Sequence, residues 1–295
     1  MLILRPVQAE DADLLFPLIY HSTVTDTLLW DGPESLDEYR QGLGKRAERV
    51  TQAEDHLFTI LITDDVDGHI TAVIGSAGIN PEHNQPARGD VGLWIGLPYH
   101  GKGYGSLTIR WLIDYGFTRL GMEKIEASIY TGNWVSRHIF EKNGFVLEGT
   151  IRKATLKRGE WQDDWRVGIT REDYSYLRLQ ESILHLTTQA EWQAARSDGL
   201  LTPASLSSEG IIHCSRPDQI QRVANVYFRD QTDMALLAID PRLVQPEIRW
   251  DLSENSFFPH IYGPLNLEAV ITVQEIDPDQ DGIFPSITPS LPPSS

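Results

Sequence analysis

Cysteine is almost absent. Cys214 stands alone in 295 residues, so no disulfide framework is available and a reducing cytoplasm is the expected setting. No run of about 18 apolar residues occurs, which excludes a membrane-spanning helix. The opening MLILRPVQAED lacks a basic segment and turns acidic at once, so no export signal is expected there. Histidines and the lone cysteine show no zinc spacing. Asp277-Pro-Asp-Gln-Asp-Gly282 imitates a calcium loop without its closing Glu or exit helix, so no metal is expected. Positive charge is scarce as well: 25 Lys and Arg stand against 42 Asp and Glu, a formal net charge of −17. That balance argues against DNA, whose phosphates need a cationic surface. It suits basic partners such as polyamines, other amines or Lys/Arg-rich proteins, or else serves solubility alone. Lysine disappears after residue 180: the first 180 residues carry 19 Lys and Arg, the rest six, all arginine. With a length beyond one compact domain, this break predicts domains over 1–178 and 182–283. The Pro/Ser-rich stretch 284–295 is expected to be a disordered tail.

What is present is an alternation of short apolar strands and amphipathic helices. In the first half, strands are expected over residues 2–5, 58–63, 69–79, 91–97, 125–130, 145–152 and 165–170, and helices over 9–20, 35–54, 106–117 and 134–142. The first helix carries Leu14, Leu15, Leu18 and Ile19 on one face, bent or shifted by Pro17. Residues 64–68 read as a hairpin turn. The order predicts an α/β (α+β) fold, a mixed sheet with flanking helices. In the second half, strands over 183–186, 211–214, 235–240 and 269–276 and helices over 190–196 and 217–228 predict a smaller α+β domain.

The most informative stretch is Leu93-Trp-Ile-Gly-Leu-Pro-Tyr-His-Gly-Lys-Gly-Tyr-Gly-Ser106. A strand ends, Gly101, Gly103 and Gly105 alternate, and a helix begins. Glycines let successive N–H groups converge on an anion, and the helix N-terminus adds unpaired donors and its positive dipole end, which together seat a pyrophosphate. A P-loop would need Ser or Thr after Lys102, where Gly103 stands, and a dinucleotide fingerprint would need GxGxxG in an opening βαβ unit.

This loop resembles the (Q/R)-x-x-G-x-G/A coenzyme A loop of the GNAT acetyltransferases, with His100 in place of Gln or Arg. Downstream, Asn133-Trp-Val-Ser136-Arg-His-Ile-Phe140-Glu-Lys-Asn-Gly144-Phe145 resembles the superfamily's N-x-x-S-x-x-x-(Y/F)-E-K-x-G-F signature. The style is that of the ribosomal-protein N-terminal acetyltransferase (RimJ/RimL) type. The resemblance implies an acetyl-CoA-dependent N-acetyltransferase acting on a primary amine. It places the pantetheine beside Trp94, Ile95 and Leu97, on bulged strand amides that hold the thioester carbonyl, and Asn133 among the cofactor-side residues. The pyrophosphate falls to His100, Gly101, Lys102, Gly103, Tyr104, Gly105 and Ser106, with Lys102 or His100 near the anion. Many relatives carry a Tyr acid where Phe140 stands, so Ser136 is the expected substitute; its hydroxyl could instead bond its own helix. Asn133 can also cap the helix. For the base, Asp31, Glu82, His83 and Glu126 are candidates beside solvated-charge readings, and a water chain could serve.

The second half contains His185-Leu-Thr187, Gly199-Leu200 and His213-Cys-Ser215. These resemble a small family of uncharacterised bacterial domains and, more distantly, the ADP-ribosyltransferase and RNA 2′-phosphotransferase folds. That resemblance implies His185, Thr187, His213 and Ser215 as ligand candidates for NAD or a related ribose phosphate. The alternatives are a fold kept without catalysis, with His185, His213 and His260 structural, or a module that recruits a basic substrate.

Overall fold

The computed structural model describes residues 1–64, 68–253 and 256–290. The chain divides into two compact units between Tyr174 and Ser175, a few residues before the expected break.

In the first unit the order is β1 (Leu2–Pro6), α1 (Asp11–Ile19), α2 (Leu36–Thr51), β2 (Leu57–Thr63), β3 (Ile70–Glu82), β4 (Gln85–Ile95), α3 (Tyr104–Thr118), β5 (Lys124–Tyr130), α4 (Trp134–Lys142), β6 (Val146–Lys157) and β7 (Glu160–Thr170). One seven-stranded mixed sheet results, ordered β1-β2-β3-β4-β5-β7-β6. β2 is mostly apolar, interrupted by Thr59 and Thr63, and buried on both faces. Val7, Ala12, Leu15, Leu43 and Leu57 form the core under α1 and α2, with Trp94 packed against it. Ile109, Leu112, Ile113 and Phe117 are buried on α3, and a Cβ on Gly116 would strike Ile79 and Ile125 on the opposite face of the sheet.

One expectation for α1 changes. Leu15 and Ile19 are buried as expected, but Leu14 is exposed and Ala12 buries in its place. The helix is fixed by Asp11 at its first turn, a buried carboxylate that accepts from Arg5 (2.6 Å), Thr59 (2.6 Å) and the Gln8 N–H (2.8 Å). Three acceptor contacts offset the cost of taking a charge out of water. The β2–β3 connection closes where Asp64 N–H reaches the His69 carbonyl at 2.9 Å; residues 65–67 of the expected turn lie outside the described residues.

α5 (Arg171–Gln180) runs across the division. The second unit then holds β8 (Ile183–Thr188), α6 (Gln189–Asp198), β9 (Leu200–Leu201), α7 (Ala204–Glu209), β10 (Ile212–His213), α8 (Ile220–Tyr227), β11 (Met234–Ile239), β12 (Glu247–Ser253), β13 (Ser256–Tyr262), β14 (Leu265–Asn266) and β15 (Val270–Ile276). β11 lies between β15 and β8, and all six of its residues are buried. Alternation sends Met234, Leu236 and Ala238 into one apolar cluster and Ala235, Leu237 and Ile239 into another. Cys214 is buried, and that burial pushes its thiol far up, so it packs rather than reacts.

The expected disordered tail is corrected over 284–290. Phe284 and Ile287 are buried in the cluster that holds Leu236. Gln221 and Asn225 on α8 bond the backbone of Phe284 and Ile287, Asn225 accepting from Phe284 N–H at 2.7 Å and Gln221 from Ile287 N–H at 2.7 Å. An apolar pair spaced by three outweighs the prolines around it. Residues 291–295 lie outside the described residues. No helix of the described residues is long and apolar enough to cross a membrane.

Candidate active site

β4 and β5 pair in parallel over three registers only: Arg88 with Lys124, Gly89 with Ile125, Asp90 with Glu126. Beyond them β4 follows β3 as far as Ile95 and β5 follows β7 as far as Tyr130. The sheet therefore splits, and backbone polar groups of residues 91–95 that face the gap are left for a ligand. The expected bulge in β4 is not the cause. The β3–β4 register runs unbroken from Gly75/Ile95 to Pro81/Gly89, and a register shift falls in β2–β3 instead, between Ile60 and Leu61. Strand divergence frees the amides.

The glycine loop lies at the open end of this split. Gly101 and Gly103 adopt φ of +73° and +81°, and an added Cβ would meet nothing within 4 Å of either. Their role is backbone direction and open space, the requirements of an anion cradle. Gly103 caps the 15-residue α3, whose first turn holds Tyr104, Gly105 and Ser106. Gly105 serves packing: its Cβ would sit 3.1 Å from Ile139, so α4 approaches α3 there. Lys102 Nζ stands 5.6 Å from the Tyr99 ring centroid. His100 turns back: its Nε2 donates to the Ile95 carbonyl at 2.7 Å, tying the loop to the end of β4 rather than facing an anion.

Asn133 caps α4, its Oδ1 accepting from Ser136 N–H at 3.1 Å. Ser136 sits half-buried in that first turn. Asn143, at the other end of α4, was not singled out from the sequence. Its amide donates to Ser106 Oγ (2.9 Å) and the Ile139 carbonyl (2.8 Å), joining the second motif to the first.

The base candidates are all otherwise engaged or exposed. Glu126 occupies the last paired register, the closed end of the split, and bonds Arg88 and Lys124. Burial pushes its carboxyl up, but the two cations outweigh that and hold it below the ordinary range, which makes it a poor proton acceptor. A carboxyl so lowered adds stability above its unfolded value of about 4.3, lost as pH falls through the folded value. A Glu126→Gln variant should keep acetyl transfer, lose about 1–2 kcal/mol of stability, and melt with less dependence on pH between about 5 and 3. Activity loss beyond tenfold would refute this.

Asp31 is likewise held low, chiefly by a hydrogen bond from Lys157, whose Nζ lies 2.8 Å away. Lys157, buried at the end of β6, also donates to the carbonyls of Thr25 (2.9 Å), Leu28 (2.8 Å) and Trp30 (2.9 Å). It thereby pins residues 25–31 as a strap. Glu82 lies 3.5 Å from Arg88, and His83 is exposed at the β3–β4 turn.

In the second unit, the four residues expected to gather around a ligand separate by burial. His185, Thr187 and Ser215 are buried and only the His213 side chain is half-exposed. The Thr187 hydroxyl donates to Glu191 at 2.6 Å. His185 Nδ1 donates to the His213 carbonyl at 2.7 Å, and its Nε2 has no partner among the described residues. His213 Nδ1 stands 3.4 Å from His260 Nε2, and His260 Nδ1 lies 2.7 Å from Asp251, which Tyr262 also bonds at 2.8 Å.

Residues 1–146 match the acetyltransferase (GNAT) domain family, and residues 186–273 match a protein family of unknown function, DUF952. An uncharacterised N-acetyltransferase of Bacillus licheniformis is 26% identical over 174 residues, 59% of this chain and 95% of the relative. The spermidine N(1)-acetyltransferase of Vibrio cholerae is 24% identical over 173 residues, 59% and 95% of the two chains. In fold, the first part is similar to a Bacillus anthracis acetyltransferase of the GNAT family, with a TM-score of 0.51 at 20% identity over 58% of this chain and 95% of that one. The chain therefore carries a GNAT N-acetyltransferase domain, which moves an acetyl group onto an amine, followed by a DUF952 domain.

Proposed function

We propose that the first unit binds acetyl-CoA in the β4/β5 split and acetylates a cationic primary amine, such as a polyamine or, in the manner of the RimJ/RimL type, a protein N-terminus. One observation carries this reading: two left-handed glycines with open space above them cap a 15-residue helix at the mouth of a split sheet. The named activity of the spermidine-acetylating relatives and the net charge of −17 support a cationic acceptor. Acetyl-CoA supplies the activated acyl group. The α3 N-terminus and the N–H groups of residues 101–106 bind its phosphates, and gap-facing amides of β4 donate to the thioester oxygen. As the amine nitrogen bonds the carbonyl carbon, the carbon–sulfur bond breaks, Ser136 passes a proton to sulfur, and the proton released from nitrogen restores the Ser136 hydroxyl through water. A Ser136→Ala variant should lower kcat about 10- to 100-fold and leave acetyl-CoA affinity unchanged; unchanged kcat removes Ser136 from the role.

The test is incubation with labelled acetyl-CoA and a pool of polyamines, amino acids, aminoglycosides and ribosomal-protein N-terminal peptides, read by mass spectrometry. One strongly labelled product names the acceptor. No product from protein that binds acetyl-CoA overturns the proposed substrate class.

A second reading concerns the second unit: an ADP-ribosyltransferase-like fold binding NAD or a related ribose phosphate. The unpartnered His185 Nε2 supports it, while the burial of Thr187 and Ser215 counts against it. Calorimetry of the full chain with NAD and with ADP-ribose, in excess acetyl-CoA, decides; absence of heat with both removes it.

A further inference from the structure

Three buried oxygens in the first unit lack hydrogen-bond partners among the described residues: Thr108 Oγ1 on α3, and Tyr130 Oη and Asp164 Oδ1 on the sheet. Tyr130 is 7% exposed and Asp164 3%. They lie directly opposite one another in the β5–β7 register. Ile125 faces α3, so alternation sends Glu126, Ser128 and Tyr130 to the other face, together with Asp164 and Arg166 of β7. The 3.0 Å bond from Arg166 to Asp90 of β4 confirms that these side chains share a face. Tyr130 is the last residue of β5, on the strand that borders the split at its open end.

The surroundings suit a cation. Thr155 of β6 donates to Asp164 Oδ2 at 2.9 Å and fixes the carboxyl, leaving Oδ1 free to accept. Asp163 on β7 and Asp31 of the strap add negative charge, which acts on Asp164 and Tyr130 respectively. Among the described residues Arg166 is the cation that acts on Asp164, and its guanidinium is shared with Asp90. Burial pushes the Asp164 carboxyl up, against the Thr155 bond and Arg166, which lower it. Glu126 and Asp31 are both held low, so Asp164 differs from both in the direction a base requires. Folding has stripped water from an oxygen on each of two cross-strand partners without giving either a hydrogen-bond partner, an arrangement that a ligand with several N–H groups completes.

We propose that Tyr130 Oη and Asp164 Oδ1 form the seat of the acceptor's ammonium group and that Asp164 takes its proton. This rests on the acetyltransferase reading above. The ammonium donates to both oxygens; one N–H bond breaks, its proton passes to Asp164 Oδ1, and the freed lone pair forms the bond to the acetyl carbon as the carbon–sulfur bond breaks. A second N–H proton then leaves nitrogen and, through water, replaces the one Ser136 gives to sulfur. Asp164 then returns the proton to solvent once the product leaves. Tyr130 positions the nitrogen.

The test uses the full chain with spermidine as acceptor. Asp164→Asn should lower kcat at least about 100-fold, remove the acid-side limb from the pH profile of kcat/KM, and leave acetyl-CoA affinity unchanged. Tyr130→Phe should raise the KM for spermidine about tenfold with a smaller change in kcat. Thr155→Val removes a bond that lowers the Asp164 carboxyl, so the acid-side limb should move to higher pH, a shift that a structural role alone would not produce. Parent-like kcat and pH profile in Asp164→Asn overturn the proposal, as does a parent that binds acetyl-CoA but neither binds nor acetylates spermidine. A parent that fails to bind acetyl-CoA overturns the acetyltransferase reading instead. Should Asp164→Asn not fold, an unmoved limb in Thr155→Val overturns the assignment of Asp164.

Discussion

A Gly103→Glu variant is expected to lose acetyl-CoA affinity by at least about 100-fold while remaining folded. Two effects separate at this position. A side chain at φ +81° strains the backbone by roughly 1–2 kcal/mol, and Gly103→Ala measures that part alone, since its Cβ meets no atom within 4 Å. Glu adds a carboxylate in the space above the helix N-terminus, where the phosphates are expected and where two anions repel. Gly103→Ala should therefore keep most of the affinity that Gly103→Glu loses, with both melting within a few degrees of each other. Titration calorimetry with acetyl-CoA and a melting curve check both. Equal affinity in parent and Gly103→Glu would place the pyrophosphate elsewhere.

Replacing Lys157 by Met should cost about 3–5 kcal/mol, because a buried ammonium serving three carbonyls is lost while the carbonyls stay. In a unit of this size that lowers the melting temperature by roughly 10 °C. The strap it holds includes Asp31, which acts on Tyr130. The KM for the amine should accordingly rise about tenfold or more, with the acetyl-CoA dissociation constant changed by less than about twofold. Equal loss of both affinities would mean that the strap supports the whole unit rather than the acceptor side. Lys157→Arg should not rescue, since a planar fork cannot converge on the same carbonyls as a compact ammonium.

The glycine loop and the α4 cap were legible in the sequence because their determinants are local. Alternating glycines at a strand–helix junction and Asn133 at a helix start each act within one turn of chain, and the structure finds them where their spacing puts them. The proposed acceptor side was not legible. Lys157 bonds residues more than a hundred positions earlier, and Tyr130 meets Asp164 only through the β5–β7 register. Glu126, a base candidate by residue type, is neutralised by Arg88 from across the β4–β5 pair and by Lys124 two residues back on its own strand. β12 and β13 escaped for another reason: Pro259 lies within β13 and argues against a paired strand. The structure accommodates it because β10 is two residues long and takes only the Pro259 carbonyl, which accepts from Cys214 N–H at 3.0 Å.

The docking of residues 284–287 on α8 also decides where the second unit can be cut from the chain. A fragment ending at 283, the limit that composition suggests, would leave an aromatic socket open beside Leu236 and strand the amides of Gln221 and Asn225. Loss of ligand binding or solubility in such a fragment would report the truncation and not the chemistry of the unit. A recombinant version needs its stop codon beyond Ser290.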